Sequence, residues 1–169
     1  RHTRLQGDWS SDVWLFRSYL EKVALLRETV PNVTLGTDII VGFPTETDEE
    51  FEETYKVLED IRYSVAFIFS YSARKGTPAF RWKDDIPEEV KQERLHRLLD
   101  LRGKISAEQR QSMLGQEVEI LVEKYKEGQL KGRTRCWKNA VFQGDPSLVG
   151  SLQKVKVHSY SNQTLLCSL

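Results

Sequence analysis

Gly42-Phe43-Pro44, directly after the apolar run Ile39-Ile40-Val41, is the arrangement in this 169-residue chain best suited to sit against a ligand. Branched apolar residues without polar alternation read as a strand covered on both faces. Glycine lets backbone approach a neighbour closely, and proline fixes the turn while withholding an N–H. Val41, Gly42, Phe43 and Pro44 would then form a ligand-side turn at the carboxyl end of a strand, where α/β proteins bind ligands. The same residues would equally make a plain strand-to-helix turn. A second polar loop, Ser72-Ala73-Arg74-Lys75-Gly76-Thr77-Pro78, follows the apolar run at 65–71. Its Arg74 carries a planar fork that suits a carboxylate or a phosphate, although a solvated loop arginine is the commoner fate. Toward the other end lie Lys131, Arg133, Arg135, Lys138, Lys154 and Lys156, interleaved with Trp137, Phe142 and Tyr160. Cations with exposed aromatic rings suit RNA, by neutralising its backbone and stacking on its bases. The plain alternative is a solvated strand face with the aromatic residues in a core. Cys136 and Cys167 are isolated, so neither a metal site nor a disulfide framework is expected.

The elements that must position these groups follow from periodicity. Leu20, Val23, Leu26 and Val30 predict a helix over 19–30, stopped by Pro31-Asn32. Residues 33–41 predict a strand. A helix over 48–61 follows, with Thr47 and Glu50 in capping-box positions and acidic residues crowding its first turns. Residues 65–71 predict another buried strand. Pro87 opens a long helix that Gly115 ends. After Gly115 the texture changes to four or five short strands punctuated by Gly128, Gly144, Gly150 and Ser161-Asn162, which reads as a small antiparallel barrel. Composition separates the two halves. Residues 113–169 hold 8 Lys+Arg against 5 Asp+Glu, whereas residues 1–112 hold 17 against 20. Two modules are expected, 1–112 and 113–169, the second facing a polyanion. No apolar run approaches a membrane span, and the isolated cysteines fit a reducing cytoplasm. The chain begins at Arg1 without an initiator methionine, as a piece of a longer protein would.

Several of these stretches, in this order, resemble the radical S-adenosylmethionine (SAM) tRNA methylthiotransferases. Arg1-His2-Thr3 is similar to the family's basic HT element. The run from Thr37 through Gly42-Phe43-Pro44 to Thr47 resembles its strand-turn signature. Phe69-Ser70-Tyr71-Ser72-Ala73-Arg74-Lys75-Gly76-Thr77-Pro78-Ala79 resembles its last barrel strand and loop. Ile86-Pro87-Glu88-Glu89-Val90-Lys91 with Arg94-Leu95 matches the start of its linking helix, and residues 115–169 resemble a TRAM domain. Residues 5–18, with Trp9, Trp14 and Phe16, depart from the pattern as an insertion, a surface loop or a gene-model error.

The resemblance implies an α/β fold, namely the later βα units of a partial parallel radical SAM barrel followed by a small antiparallel, OB-like TRAM barrel. It implies methylthiolation of C2 of an N6-isopentenyladenosine next to the anticodon, with SAM and two [4Fe–4S] clusters supplying the radical and the sulfur. The cluster cysteines are not in this sequence, so no catalytic residue and no metal ligand is assigned here. Val41, Gly42, Phe43, Pro44 and Arg74 become cofactor-binding candidates. Lys131, Arg133, Arg135, Lys138, Lys154 and Lys156 become RNA-binding candidates, with tRNA as the partner of a cytoplasmic monomer. A non-catalytic RNA-binding module and the related ribosomal-protein aspartate methylthiotransferase are the competing readings.

Overall fold

A computed structural model describes residues 9–169, with side chains from Ser18 onward. Arg1, His2 and Thr3 lie outside the described residues. The chain divides into two compact units, Arg1–Val33 and Thr34–Leu169. In the first, helix α1 spans Trp9–Thr29. It starts well before the helix expected over 19–30, so residues 9–18 are helical rather than a loop. Between Gly7 and Pro31 no helix breaker interrupts the chain, and nothing local stops the helix from extending. Asn32, with φ of 60°, turns the backbone out of it.

The second unit opens with two parallel strands, β1 (Gly36–Val41) and β2 (Val65–Ser70), registered from Gly36 opposite Val65 to Val41 opposite Ser70. Helix α2 (Asp48–Ile61) connects them. Its capping box is formed: Glu50 N–H donates to Thr47 Oγ1 at 3.2 Å, and Thr47 N–H donates to Glu50 Oε2 at 2.9 Å. After β2 comes a loop with a short 3₁₀ turn at Pro78–Arg81, then helix α3 (Glu88–Ser112), which packs on both strands and on α2. α3 buries Leu98, Leu101 and Ile105, and the same stripe continues toward its start through the buried cations Arg94 and Lys91.

The expectation of strands covered on both faces needs correcting. Val41, Ala66 and Ile68 are buried, but Ile40, Phe67 and Phe69 are 55%, 56% and 53% exposed. An uninterrupted apolar run has two apolar faces, and the covering stripe of α3 meets one of them.

From Gly115 the chain forms a closed five-stranded barrel: β3 (Glu117–Lys126), β4 (Gln129–Thr134), β5 (Asn139–Phe142), β6 (Leu152–Ser161) and β7 (Thr164–Ser168), in the cyclic order β3-β4-β5-β7-β6. It is not wholly antiparallel, as the sequence led us to expect, because β5 and β7 run parallel. Directions cannot alternate around a closed ring with an odd number of strands, so one parallel pair is obligatory. Ile120, Val122, Leu130, Phe142, Val155, Val157 and Leu165 fill the interior. Gly115 N–H donates to the Val157 carbonyl at 2.8 Å, joining the end of α3 directly to the barrel. Among the described residues, no helix is long and apolar enough to cross a membrane.

Candidate functional site

The Gly42-Phe43-Pro44 turn leaves β1 at the same end of the sheet as the Arg74 loop leaves β2, and Tyr71 N–H donates to the Val41 carbonyl at 2.8 Å. Val41 and Pro44 are fully buried. Gly42 has φ of 71°, and a Cβ there would overlap Lys91 Cγ of α3. The close approach that demands glycine is therefore made to a lysine stem as well as by the turn itself. Gly42 N–H donates to Glu46 Oε1 at 3.0 Å, and the same oxygen accepts from Arg94 Nη1 at 2.6 Å. Arg94 also donates to the Glu46 carbonyl at 3.2 Å and to Asp48 Oδ1 at 2.6 Å. Lys91 Nζ reaches Asp84 Oδ2 at 2.6 Å, and Thr45 N–H donates to Asp85 Oδ1 at 2.8 Å. Glu46, Asp48 and Asp84 offset the two cations held near the positive end of α3.

Beside this network the turn carries aromatic surface. Phe43 packs edge-on against Tyr71 and Trp82, with ring centroids 5.0 and 5.5 Å apart. Ile40 and Phe69, opposite each other in register, extend that surface along the sheet. Arg74 is exposed on its loop, where its carbonyl accepts from Thr77 Oγ1 at 2.8 Å. The sequence candidates therefore separate: Val41, Gly42 and Pro44 are buried, Phe43 is half-buried and Arg74 is exposed. The sequence places Glu46 before the acidic helix start and Lys91 and Arg94 in the linking-helix motif, but does not show the convergence of these residues behind the turn. Their signal was the spacing of 91, 94, 98, 101 and 105, one helical stripe whose first two members are cations. Among the described residues, no group of three or more His, Cys, Asp or Glu could hold a metal ion.

The basic candidates of the barrel also separate. Lys131, Arg133 and Arg135 stand along β4 and its turn, and Lys154 and Lys156 along β6, on either side of β3. That middle strand presents Glu117, Glu119 and Glu123, which pair outward. Lys154 lies 3.6 Å from Glu117, Arg135 2.6 Å from Glu119 and Arg133 2.5 Å from Glu123. Lys131 lies 3.7 Å from Glu127, while Lys156 is exposed and makes no ion pair among the described residues. The acidic stripe follows the period-two parity of a strand at Glu117, Glu119 and Glu123, which net charge alone does not reveal. Lys138 is not on this face. Its Nζ is buried, donating to the Ser64 carbonyl at 3.0 Å and to Gln109 Oε1 at 2.8 Å, and so ties the barrel to the end of α3 and the start of β2. Burial holds its pKa below the ordinary lysine value. Of the aromatic residues, Phe142 is core, Tyr160 reaches Gln111 Oε1 at 3.2 Å, and Trp137 is exposed with Arg133 stacked 4.3 Å from its ring centroid.

Loops gathered at the carboxyl ends of two parallel strands, continued into a closed barrel with a charged and aromatic outer face, define an α/β layer joined to a β-barrel module. No family model matches the chain. Individual relatives do. A tRNA-2-methylthio-N(6)-dimethylallyladenosine synthase of Protochlamydia amoebophila is 63% identical over 160 residues, 93% of this chain and 36% of the relative. Synthases of the same name from Aquifex aeolicus and Acetivibrio thermocellus are 48% and 44% identical, over 82% and 87% of this chain and 32% and 31% of theirs. The chain belongs by homology to this family and spans about a third of the length of the curated relatives it matches.

Proposed function

We propose that the chain is the C-terminal part of an enzyme that methylthiolates C2 of N6-isopentenyladenosine next to the anticodon of tRNA, using radical SAM chemistry. The observation that carries this reading is 63% identity over 93% of the chain to a synthase named for that product. In it, residues 1–112 are later βα units of a parallel radical SAM barrel with its linking helix, and residues 113–169 are a TRAM module that grips RNA. The open strand face of Ile40, Phe67 and Phe69 supports the first assignment, because the inner face of such a barrel is closed only by further strands.

The surface at the turn fits the flat ring of SAM: Phe43, Tyr71 and Trp82 offer ring edges, and Ile40 offers an apolar wall. Glu46 and Arg94 hold that wall in place, and Arg74 supplies a cation for a carboxylate or a phosphate. SAM and two [4Fe–4S] clusters, the latter ligated outside this chain, would provide the radical and the sulfur. This chain's residues bind and orient. The enzyme works on tRNA in the cytoplasm as a monomer.

Mass spectrometry of tRNA from a strain lacking the gene that carries this chain tests the reading. The methylthio group is expected to disappear while isopentenyladenosine persists. Retention of the methylthio-adenosine would overturn the assignment.

A further inference from the structure

The outer face of β3 carries a shallow groove of about 280 Å³, lined in part by the RNA-binding candidates Arg133 and Arg135. Its floor is apolar: Leu121 and Leu152 are opposite each other in register and are 45% and 56% exposed. Trp137, 59% exposed, forms its wall, and Glu119 and Glu123 line its edge. Leu121 and Leu152 gain little from folding while they stay in water, and Trp137 carries a cost of its own. It sits in the β4–β5 turn with φ of 62°, a conformation rare for a bulky residue and natural for glycine or asparagine. A large aromatic held in a strained turn and left in solvent marks a binding position.

Charge decides what would bind there. Around the groove Arg133 and Arg135 are balanced by Glu123 and Glu119, so the site has no net attraction for a phosphate. Arg133 already covers one face of the indole, held there by its ion pair with Glu123. The open side offers an aromatic ring, aliphatic floor and carboxylate acceptors. Those groups complement the flat apolar faces and the N–H edge of an unpaired nucleobase.

We propose that this groove binds one unpaired base of the RNA, stacked on Trp137 over Leu121 and Leu152. The proposal rests on the reading that the barrel contacts tRNA. Phosphate neutralisation then falls to cations outside the groove, such as Lys156.

Titrating this chain with a stem–loop RNA and with a fully paired duplex of equal length tests it. The wild type should favour the stem–loop. Trp137→Gly, which relieves the positive-φ turn and so keeps the barrel folded, should weaken stem–loop binding about fivefold or more and leave duplex binding unchanged, as befits the loss of one stacked base. Glu119→Gln should leave stem–loop affinity unchanged or lower it. Unchanged stem–loop affinity in Trp137→Gly would overturn the groove while leaving the barrel's RNA contact intact. Equal tightening of both RNAs by Glu119→Gln would assign the face to phosphate and overturn it too. If the wild-type chain binds neither RNA, the RNA reading itself fails and the groove with it.

Discussion

The turn after β1 and the outer face of β3 are both built from carboxylates paired with cations, yet they behave as different materials. At the turn, the Arg94 side chain is 6% exposed and that of Glu46 13%; on the barrel, Arg135 is 81% exposed. Buried charges must be paired, because water no longer solvates them, and the network they form has a single geometry. Exposed pairs gain little, are screened by salt, and can exchange one partner for another. The first region can therefore hold a wall in position, whereas the second is free to meet a partner. Protein charge serves as scaffold in one place and as solvated surface in the other.

Arg94→Met should be the most damaging change. It strips Glu46 of its cation inside the fold, and a buried pair broken on one side typically costs about 3–5 kcal/mol. Urea denaturation of the variant reads this directly. Glu46→Gln combined with Arg94→Met should recover part of the loss, since no uncompensated carboxylate then remains. Gly42→Ala belongs to the same region and should cost about 2 kcal/mol, from the positive φ and the overlap with Lys91. A loss below about 1 kcal/mol for Arg94→Met would mean that the turn is not held by this network.

Local rules made much of this legible. The Thr47–Glu50 capping box, the strand end at Val41, the second strand to within a residue of its end and the rhythm of four or five short strands after Gly115 all follow from spacing within a dozen residues. What escaped depends on residues far apart in the chain. Lys138 reads as one more barrel cation until Ser64 and Gln109, brought next to it by the fold, bury its ammonium. The parallel pairing of β5 and β7 follows from closure of the ring rather than from either strand. At the turn, Glu46 reads as part of an acidic helix start; only the return of α3 across β1 gives it Arg94. On the barrel face, composition showed an excess of cations, while the register of β3 between β4 and β6 showed that Glu117, Glu119 and Glu123 offset them.

Lys138 lies between the two regimes, being buried but paired with neutral acceptors only. Its folded-state pKa is depressed by burial, so the unfolded chain binds more protons in the window just below the ordinary lysine pKa of about 10.4. Stability attributable to this group must therefore rise with pH there, as the folded state sheds the proton that burial penalises. Lys138→Met removes the penalty but leaves the Ser64 carbonyl and the Gln109 amide without their donor, so the net change at neutral pH should stay within about 2 kcal/mol. Measured against this variant, the wild type should gain stability as pH rises toward the ordinary lysine pKa from below. A gap that does not move with pH would mean that the ammonium stays solvated.

Arg135→Gln should do least. The Arg135 Nε donates to Glu119 Oε2 at 2.6 Å, a good distance, but the guanidinium stands in water. Exposed pairs of this kind are worth about 0.2–1 kcal/mol and fade as salt rises. Denaturation midpoints of wild type and variant should differ slightly at low salt and converge near 1 M, where the Debye length falls to about 3 Å. The difference produced by Arg94→Met should persist under the same salt, because buried pairs are screened much less. If Arg135→Gln instead destabilised the barrel as strongly as Arg94→Met destabilises the turn, and did so independently of salt, the two regions would share one kind of electrostatics. The barrel face would then be too rigidly committed to its own glutamates to exchange them for RNA.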